Sequence, residues 1–429
     1  MRVPFLTAVG LAVLLAGACT RTSSHTPSTR STSSGRACQA VVAARAGDDT
    51  DIARLQQNLR ERRDARAAEQ LGYRFVSRAR LSHDPGDYAV AEQAAACLET
   101  ITPNEPAAWL LHGHVLHQLH RFREAEAIAR RLVTTREFVL DFGLLGDVLM
   151  EQGRVSEAAD AYQRMIDLKP FYQSYTRAAH LRWIKGDLRG AVAMMQAAVQ
   201  SASPRDKESV AWAYSRLAMY ELQRGRLADA HRMADASLQY VPDYAAALLV
   251  RGRIHLAQAR TDEAVRSLER AARLNPTPEY QWTLADALRL QKRTDEAAAI
   301  EATLTEQGAF DDPRTMALYL STRGTGGDTA ITLARRELLA REDVFTLDAL
   351  AWALASNGET QEASSLMTRA LAEGTEDGRL FLHAAVIAAA AGHRADAARY
   401  ARKAHALRFT LLPSELGVLR RGIGAQPRA

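Results

Sequence analysis

Gly146–Pro170 reads GDVLMEQGRVSEAADAYQRMIDLKP, and Gly252–Pro276 reads GRIHLAQARTDEAVRSLERAARLNP. The two stretches align without a gap. A small residue opens each, an alanine follows twelve positions later (Ala158, Ala264), and a proline closes it. That alanine recurs at Ala125, Ala158, Ala191, Ala230, Ala264, Ala297, Ala330, Ala363 and Ala397, in steps of 33, 33, 39, 34, 33, 33, 33 and 34 residues. Each period holds two stretches with apolar residues at i, i+3, i+4 and i+7, the spacing of one helix face. Near residue 139 these are Phe142, Leu145, Gly146 and Leu149, then Ala158, Ala161, Tyr162, Met165 and Leu168. Gly153, Gly186, Gly225, Gly358 and Gly392 fall between the two stretches, where a left-handed residue ends the first helix. Pro170, Pro242 and Pro276 stop the second, since proline offers no amide N–H to continue it.

The composition agrees. The chain is 47% apolar but only 6% aromatic, and its apolar content is mostly Ala and Leu, strong helix formers. An all-α chain is predicted. One unit buries too little to fold alone, so neighbours must stack. A period near 34 resembles the tetratricopeptide repeat, a pair of antiparallel helices. The resemblance covers roughly residues 72–410. It implies a right-handed superhelical solenoid of about ten helix-turn-helix units, opening near residues 72, 106, 139, 172, 211, 245, 278, 311, 344 and 378. Residues 37–71 are predicted as N-terminal capping helices, with Ile52, Leu55 and Leu59 on one stripe, and residues 411–429 as a C-terminal cap and tail. HDPGD (83–87) reads as an insertion in a degenerate first unit, and SASPRDKES (201–209) as a polar extension behind the step of 39. RGTGGD (323–328) lacks the GxxxxGK[ST] spacing and any lysine, so it reads as a long interhelical turn and not a phosphate loop.

The N-terminus differs from the rest. A single cation, Arg2, precedes an uncharged, mostly apolar run from Val3 to Ala18, and Ala16, Gly17 and Ala18 lead into Cys19. Sixteen helical residues span about 24 Å, short of the ~30 Å hydrocarbon core. Residues 1–19 read as a secretory signal. Its end resembles that of a bacterial lipoprotein, which implies lipid on Cys19, although Ala16 stands where that family's leucine usually does. Residues 20–36 are rich in Ser and Thr with no large apolar side chain, and read as a flexible tether. Thr20 is not the aspartate that often marks inner-membrane retention, so an outer-membrane or periplasmic face is favoured. Cys38 and Cys97 are read as unpaired thiols, Cys97 in a helix core, with pairing left open should the compartment be oxidising.

The net charge of +5 is carried almost wholly by this leader. Arg2, Arg21, Arg30 and Arg36 precede the first acid, leaving 51 Lys/Arg against 50 Asp/Glu. A nearly neutral body lacks the clustered cations that phosphate tracking needs, so no nucleic-acid partner is expected. GxSxG, Walker, GxGxxG, SxxK and HExxH motifs are absent from the sequence. Repeats and caps leave no segment for a catalytic domain. Neither an enzyme, a cofactor, a bound metal nor a small-molecule substrate is expected.

In the tetratricopeptide family the first helix of each unit lines the concave face. The inward places are the second, fifth, ninth, twelfth and thirteenth. Carried over to this chain, the resemblance puts Trp212, Trp282, Trp352 and Trp183 at the second, fifth, ninth and twelfth places. It leaves Trp109 at the usual core place. WLLHGHVLHQLHRF (109–122) concentrates four of the chain's 12 histidines. His114 and His117 share the groove face, His112 falls at a packing place and His120 at the turn. Asp147, His180, Arg253, Asp286, Arg289, Tyr319 and Asp348 complete the polar groove candidates. Aromatic anchors among polar groups suit an extended peptide or a partner helix. The expected function is a membrane-tethered scaffold or assembly factor in the cell envelope that binds protein in its groove. A soluble or secreted adaptor, or a metal- or ligand-binding accessory subunit, are the alternatives.

Overall fold

The computed structural model describes residues 30–82 and 84–424. The signal-like segment and Cys19 lie outside them. Helices α1 (Arg30–Ala43) and α2 (Thr50–Arg62) precede ten helix pairs. These are α3 (Ala65–Ser82) with α4 (Gly86–Ile101), α5 (Pro106–Gln118) with α6 (Phe122–Thr135), α7 (Val139–Glu151) with α8 (Val155–Leu168), and α9 (Tyr172–Ile184) with α10 (Leu188–Ser201). Next come α11 (Lys207–Gln223) with α12 (Leu227–Tyr240), α13 (Ala245–Ala257) with α14 (Thr261–Leu274), and α15 (Pro278–Leu290) with α16 (Thr294–Asp311). The last are α17 (Pro313–Arg323) with α18 (Gly327–Ala340), α19 (Val344–Ser356) with α20 (Thr360–Ala370), and α21 (Gly378–Ala390) with α22 (Arg394–Ala406). A 3-10 turn (Arg408–Thr410) and α23 (Pro413–Gly424) close the described chain. It is an all-α superhelical solenoid.

Three boundaries move. The tether was expected to run to Arg36, but α1 already begins at Arg30. The first unit opens at Ala65 and not near 72, because Ala67, Ala68, Leu71, Phe75, Val76 and Ala79 form one continuous buried stripe. The fifth opens at Lys207, four residues before the expected 211. The Asp206 carboxylate accepts from the Ser209 amide at 3.2 Å and starts the helix inside the polar extension.

The recurrent alanine is where the pairs touch. Eight of the nine, Ala125 through Ala363, are fully buried, while Ala397 of the last pair is partly exposed. In the intra-pair turns, Gly153, Gly186, Gly225, Gly358 and Gly392 take φ values from +71° to +87°, and His120, Ala259 and Lys292 adopt the same left-handed conformation where no glycine is present.

The superhelix coils tightly enough to meet itself. The intra-pair turns of the third, fourth and fifth units lie against the inter-pair loops of the eighth, ninth and tenth. The Glu342 amide donates to the Glu151 carbonyl at 3.2 Å. Arg341 reaches Glu151 at 3.1 Å. Thr375 Oγ1 donates to the Ile184 carbonyl at 2.6 Å, Lys185 pairs with Glu373 at 2.6 Å, and the Gln223 amide donates to the Glu376 carbonyl. A Cβ on Gly153 or Gly186 would overlap the carbonyl oxygen of Glu342 or Gly374. Glycine is therefore required twice at this seam, for the left-handed turn and for the close backbone approach.

Cys38 and Cys97 form a disulfide, with Cα atoms 4.7 Å apart. This corrects the reading of two free thiols. Cys97 does lie in a helix core, fully buried. The sequence period could not show that α1 packs along α4 and shares its apolar cluster. Two outcomes are expected. First, Gly186→Ala should destabilise more than Gly358→Ala. Both put alanine at positive φ, worth about 1–2 kcal/mol, but a Cβ on Gly358 meets nothing. Equal denaturation midpoints would show that the seam adds no constraint. Second, the cysteines are 59 positions apart, for which loop closure gives about 4 kcal/mol. Reduction should therefore strip hydrogen-exchange protection from α1 and α2 while the central units keep theirs.

Candidate functional site

Closure of the superhelix leaves a partly open chamber of about 360 Å³ between the first helices of units three to ten. Its wall carries five arginines and five carboxylates, most of them paired with one another. Arg253 binds Glu279 at 2.6 Å. Arg314 reaches Asp343 at 3.2 Å, and Arg341 joins Glu151 and Asp343 into one network. Asp343 and Asp377 have local duties too. The Asp343 carboxylate caps α19 through the amides of Phe345 and Thr346, both at 2.8 Å. Asp377 caps α21 through the amides of Arg379 and Leu380 at 2.9 and 3.0 Å. Such caps satisfy amides that the first turn leaves free.

Helix α23 covers part of the inner face near the C-terminal end. It contacts α15, α17 and α21, the first helices of three units, as well as α22. The Ser414 amide donates to Asp286 at 2.8 Å, and its hydroxyl donates to the same carboxylate oxygen. The Trp282 indole donates to Ser414 Oγ at 3.2 Å. Glu415 is fully buried, pairs with Arg379 and accepts from the Leu412 amide at 2.7 Å. Leu411, Leu412 and Leu419 are buried beside it. The segment expected to cap the last unit thus also runs back across the groove.

This disposes of a row of open aromatic anchors. Trp282 is completely buried beneath α23, edge-on to Tyr319 at 5.7 Å with the Arg379 guanidinium 5.1 Å from its ring. Trp352 is buried flat against His383 at 4.3 Å and donates to Thr322 Oγ1 at 3.1 Å. Trp212 packs on the apolar cluster of α9, α10 and α11, away from the chamber. Only Trp183 faces the chamber. It stacks on Phe345 across the seam at 5.2 Å and donates to Gln223 at 2.8 Å. Arg289 is a correction as well: it is exposed and turned to Glu301 on α16. Tyr319 is buried with Arg323 over its ring. His180, Arg253 and Asp348 do line the chamber. The Asp348 carboxylate lies 2.9 Å from His383 Nδ1 and accepts from it in the tautomer protonated there.

His114 and His117 share a face at the other end of the solenoid. His114 meets Tyr73 edge-on at 6.3 Å, and His117 meets Phe122 at 5.4 Å. Asp147 is engaged by Arg177 Nε at 2.8 Å and by the Tyr162 hydroxyl at 2.9 Å. Burial acts to raise its pKa, but Arg177 and His117 together hold it below the ordinary value. The described residues contain no group of three or more His, Cys, Asp or Glu arranged to hold a metal. Arg216, Asp377 and Glu415 escaped the sequence reading because none occupies an inward place of the repeat, whereas Phe345 and Arg379 stand at the second, inward place of their units and were passed over. The Asp at both helix starts was the one readable signal.

Tetratricopeptide-repeat family models match residues 142–172, 215–265 and 249–312, and a second such model matches 346–379. Tetratricopeptide-repeat models thus match these parts of the chain. No family of enzymes is among these matches, and no curated protein matches the sequence. Similar solved structures include the human IFIT1 dimer with PPP-AAAA, at 16% identity over 72% of each chain with a TM-score of 0.48. Yeast Tom70 shows 13% identity over 86% of this chain and 90% of its own, at 0.37. The APC/C hetero-tetramer Cut9–Hcn1 shows 14% over 86% and 92%, at 0.34. These figures say nothing of function.

The histidines make stability depend on pH. Burial, reinforced by Arg177 beside His114 and by Arg216 beside His180, lowers both imidazoles to about 4. In the unfolded chain each would titrate near the ordinary 6.5, so between these values the unfolded state binds more protons. Their contribution is complete above pH 6.5 and is lost as pH falls towards 4. Urea midpoints should drop across this window, and His114→Gln with His180→Gln should flatten the drop. An unchanged slope would assign it elsewhere.

Proposed function

We propose that the chain is a non-catalytic scaffold or assembly factor of the bacterial cell envelope. It is tethered through Cys19, and its inner face takes up a helix of a partner protein. One observation carries this: the inner face already holds a helix. Trp282, Asp286 and Arg379 grip the first turn of α23 by an indole N–H, a carboxylate and a guanidinium, while leucines fill the apolar floor. A surface that binds one amphipathic helix by pockets and a polar clamp is chemically fit to bind another of the same pattern. A partner would compete with α23 for it. The disulfide supports an oxidising compartment, as does the apolar leader ending at Cys19. Protein binding is the common business of such repeats. Among the described residues no helix is long and apolar enough to cross a membrane, so the proposed tether rests on Cys19.

Removing residues 411–429 should open the face. A labelled peptide of that sequence should then bind the shortened chain in trans but not the full chain, and Arg379→Ala should weaken capture at least tenfold. A shortened chain that keeps its helical circular dichroism yet ignores the peptide would refute helix uptake. The tether is tested separately with radiolabelled palmitate in a bacterial host. Label on the wild type should vanish in Cys19→Ser, and an unlabelled wild type would leave a scaffold with no lipid.

A further inference from the structure

Once the chamber's arginine–carboxylate pairs are formed, Arg216 is left over on one part of its wall, and on another Asp377 and Asp348, the latter meeting only the His383 imidazole. On the side of unit five, Arg216 has no carboxylate partner among the described residues. Its guanidinium lies 5.6 Å from the ring centres of both Trp183 and Tyr220. On the side of unit ten, Asp377 uses one oxygen to cap α21 and has no ion pair of its own. The neighbouring Arg379 is committed to Glu415. Burial pushes the Asp377 pKa upward; the Leu380 amide and the Arg379 guanidinium act against it, and the nearby Asp348 and Glu415 add to it. Arg253 nearby does not supply a partner cation, being held by Glu279. The wall also carries apolar side chains, among them the Trp183–Phe345 stack, Met150, Met219 and Val344. His180 lies beside Arg216 as a neutral imidazole at pH 7, so it offers a hydrogen bond without adding charge.

Arg216 and Asp377 are half-buried; a charge partly removed from water and left unpaired costs free energy, and a ligand that meets only one of them leaves the other uncompensated. An anion would sit at Arg216 and leave Asp377 alone, and a cation would do the reverse. We propose that the chamber is a binding site for a small zwitterion with an apolar or aromatic side chain, an amino acid or dipeptide, whose carboxylate meets Arg216 and whose ammonium meets Asp377 and Asp348. At about 360 Å³ the chamber is at the small end of ligand pockets, which run from ~300 to ~1,000 Å³. That leaves no room for a folded partner. The chamber adjoins the seat of α23 and shares Arg379 with it, so binding is tested on the full chain, where α23 is in place and helix uptake is not required.

The test is calorimetry on the purified full chain with four probes: L-phenylalanine, the dipeptide Phe-Ala, 3-phenylpropionate and phenethylamine. The last two each keep only one of the charges. At least one zwitterion should bind, and both single-charge analogues should bind at least tenfold more weakly. Arg216→Gln should weaken the zwitterion and phenylpropionate but spare phenethylamine. Asp377→Asn should do the converse, since asparagine keeps the helix cap. Arg216→Lys, which preserves the charge, should retain binding and guards against a folding defect in the glutamine variant. Silence from both zwitterions would overturn the proposal. So would analogues that bind as well as the zwitterions, or variants that bind all probes as the wild type does.

Discussion

At the recurrent alanine the second helix of each pair is pressed so close to its neighbours that the methyl group has no exposed surface in eight units of nine. Everything larger in the molecule depends on that approach. Small facing residues fix how near two helices can lie. The same step repeated ten times fixes the curvature of the whole array. Here the curvature is tight enough that turns from the third to fifth units reach loops from the eighth to tenth. The chamber exists because they meet, and so does the seat of α23.

The inner face is therefore not the open, polar trough that a repeat pattern suggests. It is a charged interior in which most ions are matched. Arg341 is held by Glu151, Glu337 and Asp343 at once. Burial tends to lower the pKa of such an arginine, but these carboxylates more than offset it and keep the guanidinium charged. Networks of this kind contribute little net stability against an apolar replacement, yet losing one member is costly. They set which turn faces which loop. The aromatic stack between Trp183 and Phe345 adds an apolar contact to the same alignment.

What the sequence revealed was what repeats. Seven units open where the period placed them, at 106, 139, 172, 245, 278, 344 and 378. Each helix pair is written locally, by spacing of apolar residues and by glycine at the turn. Contacts that close a superhelix have no such signature. Ser414 and Asp286 are 128 positions apart, and Thr375 and Ile184 are 191 apart, and no period links them. For this reason the groove places face the interior where no other part of the chain covers them, as at His180 and Arg253. They are covered where another part of the chain arrives, as over Trp282. Trp352 is covered differently. Its ring points along the inner face, but His383 of a later unit, a flat partner of the right size, covers it. Arg216 was hidden because it stands between the family's inward places.

The seam also alters how the array can come apart. A linear stack of repeats is governed by nearest-neighbour couplings, and its ends fray independently. Here the Glu342–Glu151 and Thr375–Ile184 bonds join distant members of the stack, so the last units are braced from two directions. Melting one of them breaks a lateral bond as well as an axial one. Folding bears the opposite burden, because a contact spanning about 190 positions is slow to find. Such a chain would assemble its pairs early and latch the coil late, with the latch as the slowest step.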